Sequence, residues 1–338
     1  MKKIKENKIL SIIIFLFIVA IFLFIIKQVN YVKYEKNYFY LDTYISVRLY
    51  SNKNKEEVEE IFDEIEYLYS EYHKLTDKYN SYDGIINVYY LNEILKDNEE
   101  AELDPRLSKL INEGIKYHEI TNGYINIASS NLIDIWKNYI EKQEGIPTSN
   151  ELNNANININ DISLKGNTYS KNNGIKLDLG AFAKGYITEL VGNYLEELNV
   201  NKYLIDAGGN IKVGDNYKKE NYVIGIQNPI KTNEIFTKLN INNLSVVTSG
   251  DYQRYYEYND IRYNHIIDPY TKYPANKFKS VTVVSKNSFL ADIYSTYLFL
   301  IDLEEGLNIV NNNKNIEAIW YIDENNIVKS NNFNYEIK

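Results

Sequence analysis

The sequence predicts an α+β domain built on mixed or antiparallel sheet, preceded by one N-terminal membrane-spanning helix. Three observations lead there. Residues 9–26, "ILSIIIFLFIVAIFLFII", carry no charge and follow a lysine-rich tip. From residue 175 onward, short β-branched and aromatic runs alternate with Gly-containing turns. Helical patterns are few and irregularly placed, so strands and helices do not alternate as a doubly wound parallel sheet requires.

The apolar run comes first. Eighteen residues at about 1.5 Å rise each just span a bilayer. Lysines 2, 3, 5 and 8 precede it and belong on the cytoplasmic side by the positive-inside rule. The run ends without a small-residue cleavage site, and the chain has no cysteine for lipid attachment. Residues 1–30 are therefore expected to be an uncleaved single-pass anchor in the cell membrane, with the rest extracytoplasmic. Residues 31–37 read as a linker and 38–338 as the folded domain.

Within that domain, residues 38–50 ("YFYLDTYISVRLY") read as a strand. Val58, Ile61, Phe62, Ile65, Leu68 and Tyr69 recur at helical spacing, which predicts a helix over 55–75. Residues 104–123 form a second helical pattern closed by Asn122-Gly123. His73 and His118 lie in or near these helices and read as packing or surface residues. The Asn-rich stretch 150–174 separates two lobes or forms a loop and hairpin. Two further helices are predicted at 181–198 and 289–301.

Charge narrows the function. The first 30 residues contribute +4 to the net −9, which leaves −13 on the remainder. An acidic ectodomain argues against nucleic acid and anionic lipid headgroups as partners. A bound anion would need a local cation. Absence of cysteine removes disulfide and thiol chemistry.

Five segments carry candidate chemistry. In "SFLADIYSTYLFLI" (288–301), Ser288 is the expected N-cap, and Asp292 and Thr296 share one helix face at i, i+4. An Asp in so apolar a helix serves the helix N-terminus, a basic side chain, or a metal such as Mg²⁺. In "IKLDLGAFAKGYITELV" (175–191), a strand ends at Asp178, Gly180 permits a turn, and a helix starts near Ala181 with Lys184 in its first turns. Neither G-x-G-x-x-G nor G-x-x-x-x-G-K-[ST] occurs there. "YLIDAGGNIKVG" (203–214) ends a strand in Asp206 and the adjacent Gly208-Gly209, a tight turn or a close approach to ligand. "LSVVTSGDYQRYY" (244–256) runs into Thr248, Ser249, Gly250 and Asp251, then leads to "RYNHIIDPYTKYPA" (262–275). There His265 can act as acid or base near neutral pH, with Asp268 three residues on.

In this order, these strings resemble the ApbE family of FAD:protein FMN transferases. The matches are "LDLGAFAKGY", "YLIDAGGNI", "VVTSGDYQRYY", "YNHIIDPYTKYPA" and "VTVVSKNSFLADIYSTYLFL", with weaker blocks at "LDTYISVRLY", "DKYNSYDGIINVYYLN" and "TNGYINIASSNLIDIWK". The resemblance spans about residues 38–330. It implies an ApbE-type fold, related to the tunnelling fold, with two lobes around a flavin cleft. It further implies a Mg²⁺-dependent enzyme that splits FAD, passes FMN to a Thr or Ser of an acceptor flavoprotein and releases AMP. Some relatives instead hydrolyse FAD to FMN and AMP, and a surface flavin-binding protein is the third reading.

The resemblance also assigns residues. Asp292 and Thr296 would hold the metal with backbone at Gly180-Ala181. Lys184 would face the phosphates. Asp178, Asp206, Gly208, Gly209, Thr248, Ser249, Gly250, Asp251 and Tyr82 would line the FAD cleft. His265 would serve as base, with Asp268 as the competing candidate. For an outward-facing, membrane-anchored transferase, the acceptor belongs to extracytoplasmic electron transfer, of Rnf or Nqr type or a surface reductase. One departure stands out: the family usually has Thr-Gly after Asp-Pro-x, and here Thr271-Lys272 occupies the place. Glycine readily adopts φ > 0 and lysine does not, so either the turn is rebuilt or Lys272 touches the acceptor.

Overall fold

The structure, a computed structural model, describes residues 14–18, 31–218 and 220–336. Of the predicted anchor only 14–18 are described, and they are helical; the rest lies outside the described residues. Among the described residues, no helix is long and apolar enough to cross a membrane.

The fold begins with a hairpin of β1 (Val32–Tyr40) and β2 (Thr43–Ser51). The stretch expected as a linker is therefore mostly strand, and the single strand expected over 38–50 is two. The turn between them puts Leu41 and Asp42 at φ 54° and 55°. Two successive positive φ values suit the twist of a two-residue hairpin. Neither residue is the Gly or Asn that normally announces such a turn, so the sequence hides it.

Helix α1 (Lys55–Thr76) starts at a capping box in which Asn54 and Glu57 satisfy each other's backbone N–H. Its buried stripe of Val58, Ile61, Phe62, Ile65 and Tyr69 enters the main core. After it come β3 (Glu100–Glu102), α2 (Pro105–Ile120), α3 (Ser130–Lys142), α4 (Ser149–Asn154), β4 (Ile162–Lys165) and β5 (Thr168–Lys171). The Asn-rich stretch thus forms a short helix and a hairpin. Helix α5 (Ala183–Glu197) follows, then β6 (Tyr203–Ala207), β7 (Asn210–Val213), β8 (Tyr222–Gln227), β9 (Ile235–Ile241) and β10 (Leu244–Gly250). The hairpin β11 (Tyr255–Tyr258) and β12 (Ile261–Asn264) precedes β13 (Ser280–Ser285), α6 (Ser288–Leu300), α7 (Leu303–Asn311), β14 (Ile316–Asp323) and β15 (Asn326–Lys329).

Eight strands form one sheet in the order β1-β2-β6-β7-β10-β13-β14-β15. Every pairing in it is antiparallel. Helices α1, α5 and α6 contribute to the core on one face. On the other face, Ile224, Ile226 and Leu239 of the β8–β9 hairpin and Phe333 pack on Val246, Val284 and Ile319. All six residues of β13 are buried, which is why it reads as an unbroken run rather than an alternation.

A smaller core joins α3 and α4 to the β11–β12 hairpin through Leu132, Trp136, Leu152, Tyr256 and Tyr263. The Trp136 and Tyr263 rings stack at 5.4 Å. This packing fixes the strand that leads into His265.

Candidate active site

The centre of the site is the contact between α5 and α6. Gly185, in the first turn of α5, lies so close to α6 that a Cβ there would come within 2.4 Å of the Asp292 Cβ and 2.7 Å of the Ser288 carbonyl oxygen. The missing side chain lets the Gly185 N–H reach Asp292 Oδ2 at 2.7 Å. Asp292 is buried, and burial pushes its carboxyl up to about 6 from an ordinary 3.8, against the opposing pull of the Lys184 cation nearby.

The cap of α6 differs from the sequence expectation. Asn287, not Ser288, is the N-cap and accepts from Leu290 N–H at 2.8 Å. Ser288 donates its N–H to Glu189 on α5 at 2.6 Å and its hydroxyl to Asn210 Oδ1 at 2.6 Å. Glu189 also pairs with the buried Lys212 at 3.0 Å. This network ties α5, β7 and α6 together and sets the register of Gly185 against Asp292. The Asn210 amide nitrogen is buried and lies on the Asp292 side of this network, too far for a hydrogen bond of normal geometry yet near enough to favour the ionised carboxylate.

Thr296 lies one turn beyond Asp292. Its hydroxyl is 3.2 Å from Ser249 Oγ at the end of β10, and Ser249 is 2.8 Å from Ser295 Oγ. Thr248 instead pairs with Thr282 across the sheet at 2.8 Å. Gly250 closes β10, and a Cβ there would meet the Tyr252 ring at 2.4 Å. Asp251 is buried and committed to Lys279 (2.9 Å) and Arg262 (3.3 Å), so its carboxylate anchors the β11–β12 hairpin to the sheet.

The Lys184 charge is felt at both Asp292 and His265, where it opposes a positive charge and favours a negative one. His265 donates its backbone N–H to the Arg254 carbonyl at 3.1 Å, and its Nδ1 lies 3.3 Å from the same oxygen. A carbonyl only accepts, so Nδ1 carries the hydrogen and Nε2 keeps its lone pair. Crowding by protein, with the Arg254 and Lys184 charges, holds the ring well below the ordinary histidine value. The ring is also exposed to water, which softens the desolvation, but both cations push the same way. Neutral His265 is suited to accept a proton.

Asp268 is placed differently. It is buried, and its Oδ1 accepts from the N–H groups of Tyr270 (2.8 Å) and Thr271 (3.3 Å). It organises the turn after β12 rather than reaching for a proton. Lys272 adopts φ 62°, so the turn keeps its left-handed residue without glycine. The Trp136 indole N–H donates to the Lys272 carbonyl at 2.7 Å, and Lys272 Nζ donates to the Leu152 carbonyl at 2.9 Å. The lysine is folded back onto the smaller core.

Gly208 and Gly209 turn the β6–β7 hairpin at φ 64° and 90°, closed by Gly209 N–H to Asp206 Oδ1 at 3.2 Å. A Cβ on Gly208 would fall 1.9 Å from Thr43 Oγ1, so this turn packs against the β1–β2 turn. Beneath it, Tyr82 donates to Asp77 at 2.8 Å and touches His73 Nε2 at 3.3 Å, while His73 Nδ1 receives Leu41 N–H at 3.4 Å. Asp178 pairs with the largely buried Lys78 at 2.7 Å and accepts Gly180 N–H at 2.7 Å. Burial works to raise its pKa, but Lys78 and the Gly180 N–H outweigh it and hold the group ionised. Asp178 therefore shapes the Gly180-Ala181 turn that leads into α5.

Thr43, Lys78, Asn210, Arg254 and Ser295 emerge from the structure alone. Each lies within or beside a string singled out in the sequence, but Lys78, Asn210 and Ser295 gain their roles from partners distant along the chain, Asp178, Ser288 and Ser249.

The donor set fits one kind of metal. Among the described residues, no three His, Asp or Glu side chains cluster as a metal site. A buried carboxylate with a hydroxyl one turn away suits a hard cation that takes few protein ligands and completes its shell with water and phosphate.

The ApbE family model matches residues 41–320. The chain is 30% identical over 298 residues to the FAD:protein FMN transferase of Haemophilus influenzae, covering 84% of this chain and 83% of that one. It is 40% identical over 159 residues to the FAD:protein FMN transferase of Klebsiella pneumoniae, covering 46% of this chain and about half (49%) of that one. The ApbE protein of Thermotoga maritima superposes with a TM-score of 0.80 at 25% identity, over 91% of this chain and all of that one. The flavin transferase ApbE of Vibrio cholerae superposes at 0.76, over 90% and 98% of the two chains; at 22% identity it speaks for the fold alone. With the family match covering most of its length and a relative of 30% identity spanning 84% of it, this chain belongs to the ApbE family.

Proposed function

We propose that this protein transfers FMN from FAD to a Thr or Ser hydroxyl of an acceptor flavoprotein, with Mg²⁺, and releases AMP. The observation that carries the proposal is the close contact of α5 and α6 at Gly185, which sets the buried Asp292 carboxylate one turn from the Thr296 hydroxyl at the end of β10. The names of the relatives supply the substrate and the reaction.

Asp292 and Thr296, with backbone at Gly180-Ala181, would hold the cation. Mg²⁺ when bound supplies charge neutralisation at the FAD pyrophosphate. Lys184 adds a fixed positive charge, which an acidic ectodomain needs to receive a dinucleotide. The acceptor oxygen attacks the FMN phosphorus, and the bond from that phosphorus to the bridging oxygen breaks. AMP carries away the electron pair. His265 Nε2 takes the proton of the acceptor hydroxyl, and Nδ1–H, held by the Arg254 carbonyl, keeps the ring oriented. Gly208-Gly209, Thr43 and Tyr82 form the wall nearest the β1–β2 turn.

The uncharged run at 9–26 supports a membrane anchor, and the lysine tip supports an outward-facing domain. On that reading the acceptor is an extracytoplasmic electron-transfer flavoprotein. The test is incubation of the full chain in detergent with FAD, MgCl₂ and an acceptor peptide bearing the flavinylation Thr. A peptide mass gain of one FMN less one water, with equimolar AMP, is expected. Free FMN plus AMP alone would mean hydrolysis, and intact bound FAD alone would mean a binding protein; either would overturn the transferase reading.

A further inference from the structure

We propose that Ser249 and Ser295 lock the proton of the Thr296 hydroxyl away from the cleft, so that Thr296 faces it as an acceptor oxygen for a divalent cation and not as a donor to phosphate. The proposal rests on the reading of the Asp292 corner as a cation site.

The argument is one of counting hydrogens. Ser295 Oγ lies 2.9 Å from the Asp292 main-chain carbonyl, which can only accept. Ser295 has one hydroxyl hydrogen, and this bond uses it. In the 2.8 Å pair of Ser295 and Ser249, the donor must then be Ser249. Its single hydrogen is now also used. In the 3.2 Å pair of Ser249 and Thr296, the donor must be Thr296.

The chain therefore runs in one direction only, from Thr296 through Ser249 and Ser295 to a carbonyl. Ser295 is fully buried, so no solvent is at hand to replace it as a link. Thr248, the nearest alternative hydroxyl on β10, is paired with Thr282. Thr296 Oγ1 keeps lone pairs and offers no hydrogen beside the Asp292 carboxylate. Successive hydroxyl donors polarise one another, which makes the first oxygen in the chain a better ligand. Ser249 and Ser295 are thus positioning residues that act through Thr296.

The test needs no turnover. Mn²⁺ is titrated into the full chain in detergent, and free Mn²⁺ is read by electron paramagnetic resonance. Ser249→Ala is expected to weaken Mn²⁺ binding about tenfold or more, as loss of a ligand-orienting partner does. Ser249→Thr, which keeps the hydroxyl on a strand, is expected to restore wild-type affinity. Ser295→Ala is expected to loosen binding as Ser249→Ala does, which guards against a fold defect peculiar to one variant. In a Thr296→Val background, Ser249→Ala is expected to cost nothing more. Wild-type affinity in Ser249→Ala, or additive losses in the double variant, overturns the relay while leaving the corner intact. Asp292→Ala separates the two levels: wild-type affinity in that variant overturns the cation site itself, and the relay with it.

Discussion

The Asp292→Asn variant tests the physical state of the corner directly. Asp292 has its carboxyl raised from 3.8 to about 6 because ionisation is penalised by burial. A native pKa above the unfolded one means that the folded chain binds the proton more tightly. Its contribution is fully present below pH 4 and is lost as pH rises through about 6. A rise of that size corresponds to about 3 kcal/mol of lost stability once the group is ionised. Asparagine keeps an acceptor for the Gly185 N–H and carries no charge. The stability difference between variant and wild type should therefore grow in favour of asparagine from pH 4 to pH 7 and level off above. Relaxation and water entry will trim the gain to about 1–3 kcal/mol, or roughly 2–5 °C in Tm for a domain this large. Denaturant titration at fixed pH steps, without divalent cation, reads it. A difference that stays flat with pH, or favours aspartate at pH 7, would refute a carboxylate whose burial outweighs its partners. Added MgCl₂ should then stabilise wild type and not the variant, as a ligand specific for the native state does.

Other perturbations follow from neighbouring contacts. His265→Ala should lower the transfer rate by about 10²–10⁴-fold while changing FAD affinity far less, read by stopped assays and fluorescence titration; equal losses would make His265 a binding residue. Because the His265 pKa is depressed and the base must be neutral, kcat/KM should hold as pH falls through 6.5 and fail only in more acid solution; an acid limb at or above the ordinary histidine value would contradict this. Gly208→Ala should cost about 1–3 kcal/mol, since φ is positive and the new methyl meets Thr43. Gly209→Ala meets nothing closer than 3.9 Å and should cost less in parallel thermal melts. Lys272→Gly should leave the transfer rate unchanged, because Nζ is tied to Leu152; a tenfold change or more would place Lys272 at the acceptor.

Much of the fold is legible in the sequence where one face of an element is buried. The stripe from Val58 to Tyr69 specifies α1, and the long apolar run after Ser288 specifies α6. The β1–β2 hairpin is not legible, because Leu41 and Asp42 reach positive φ through their surroundings, with His73 beneath the turn. Helix α3 ends on Gln143 at φ 54° and has no side-chain cap at Ser129, so neither boundary is marked. In the site, Asp292 and Thr296 can be paired from sequence because helical spacing fixes their face. Asp178 cannot be interpreted without Lys78, a hundred residues earlier, nor Asp251 without Lys279 and Arg262. The orientation of His265 depends on a main-chain carbonyl, and a carbonyl leaves no trace in residue identity.

The contact at Gly185 has a wider consequence. Two helices touch at the proposed catalytic corner through an atom that is not there, so the corner leaves little latitude for substitution on either helix. On the proposed function, new preferences among acceptors would have to arise away from this corner, among side chains that face water, such as Phe39 and Tyr44 of the first hairpin. On that reading the chemistry is insulated from the surface that chooses its target.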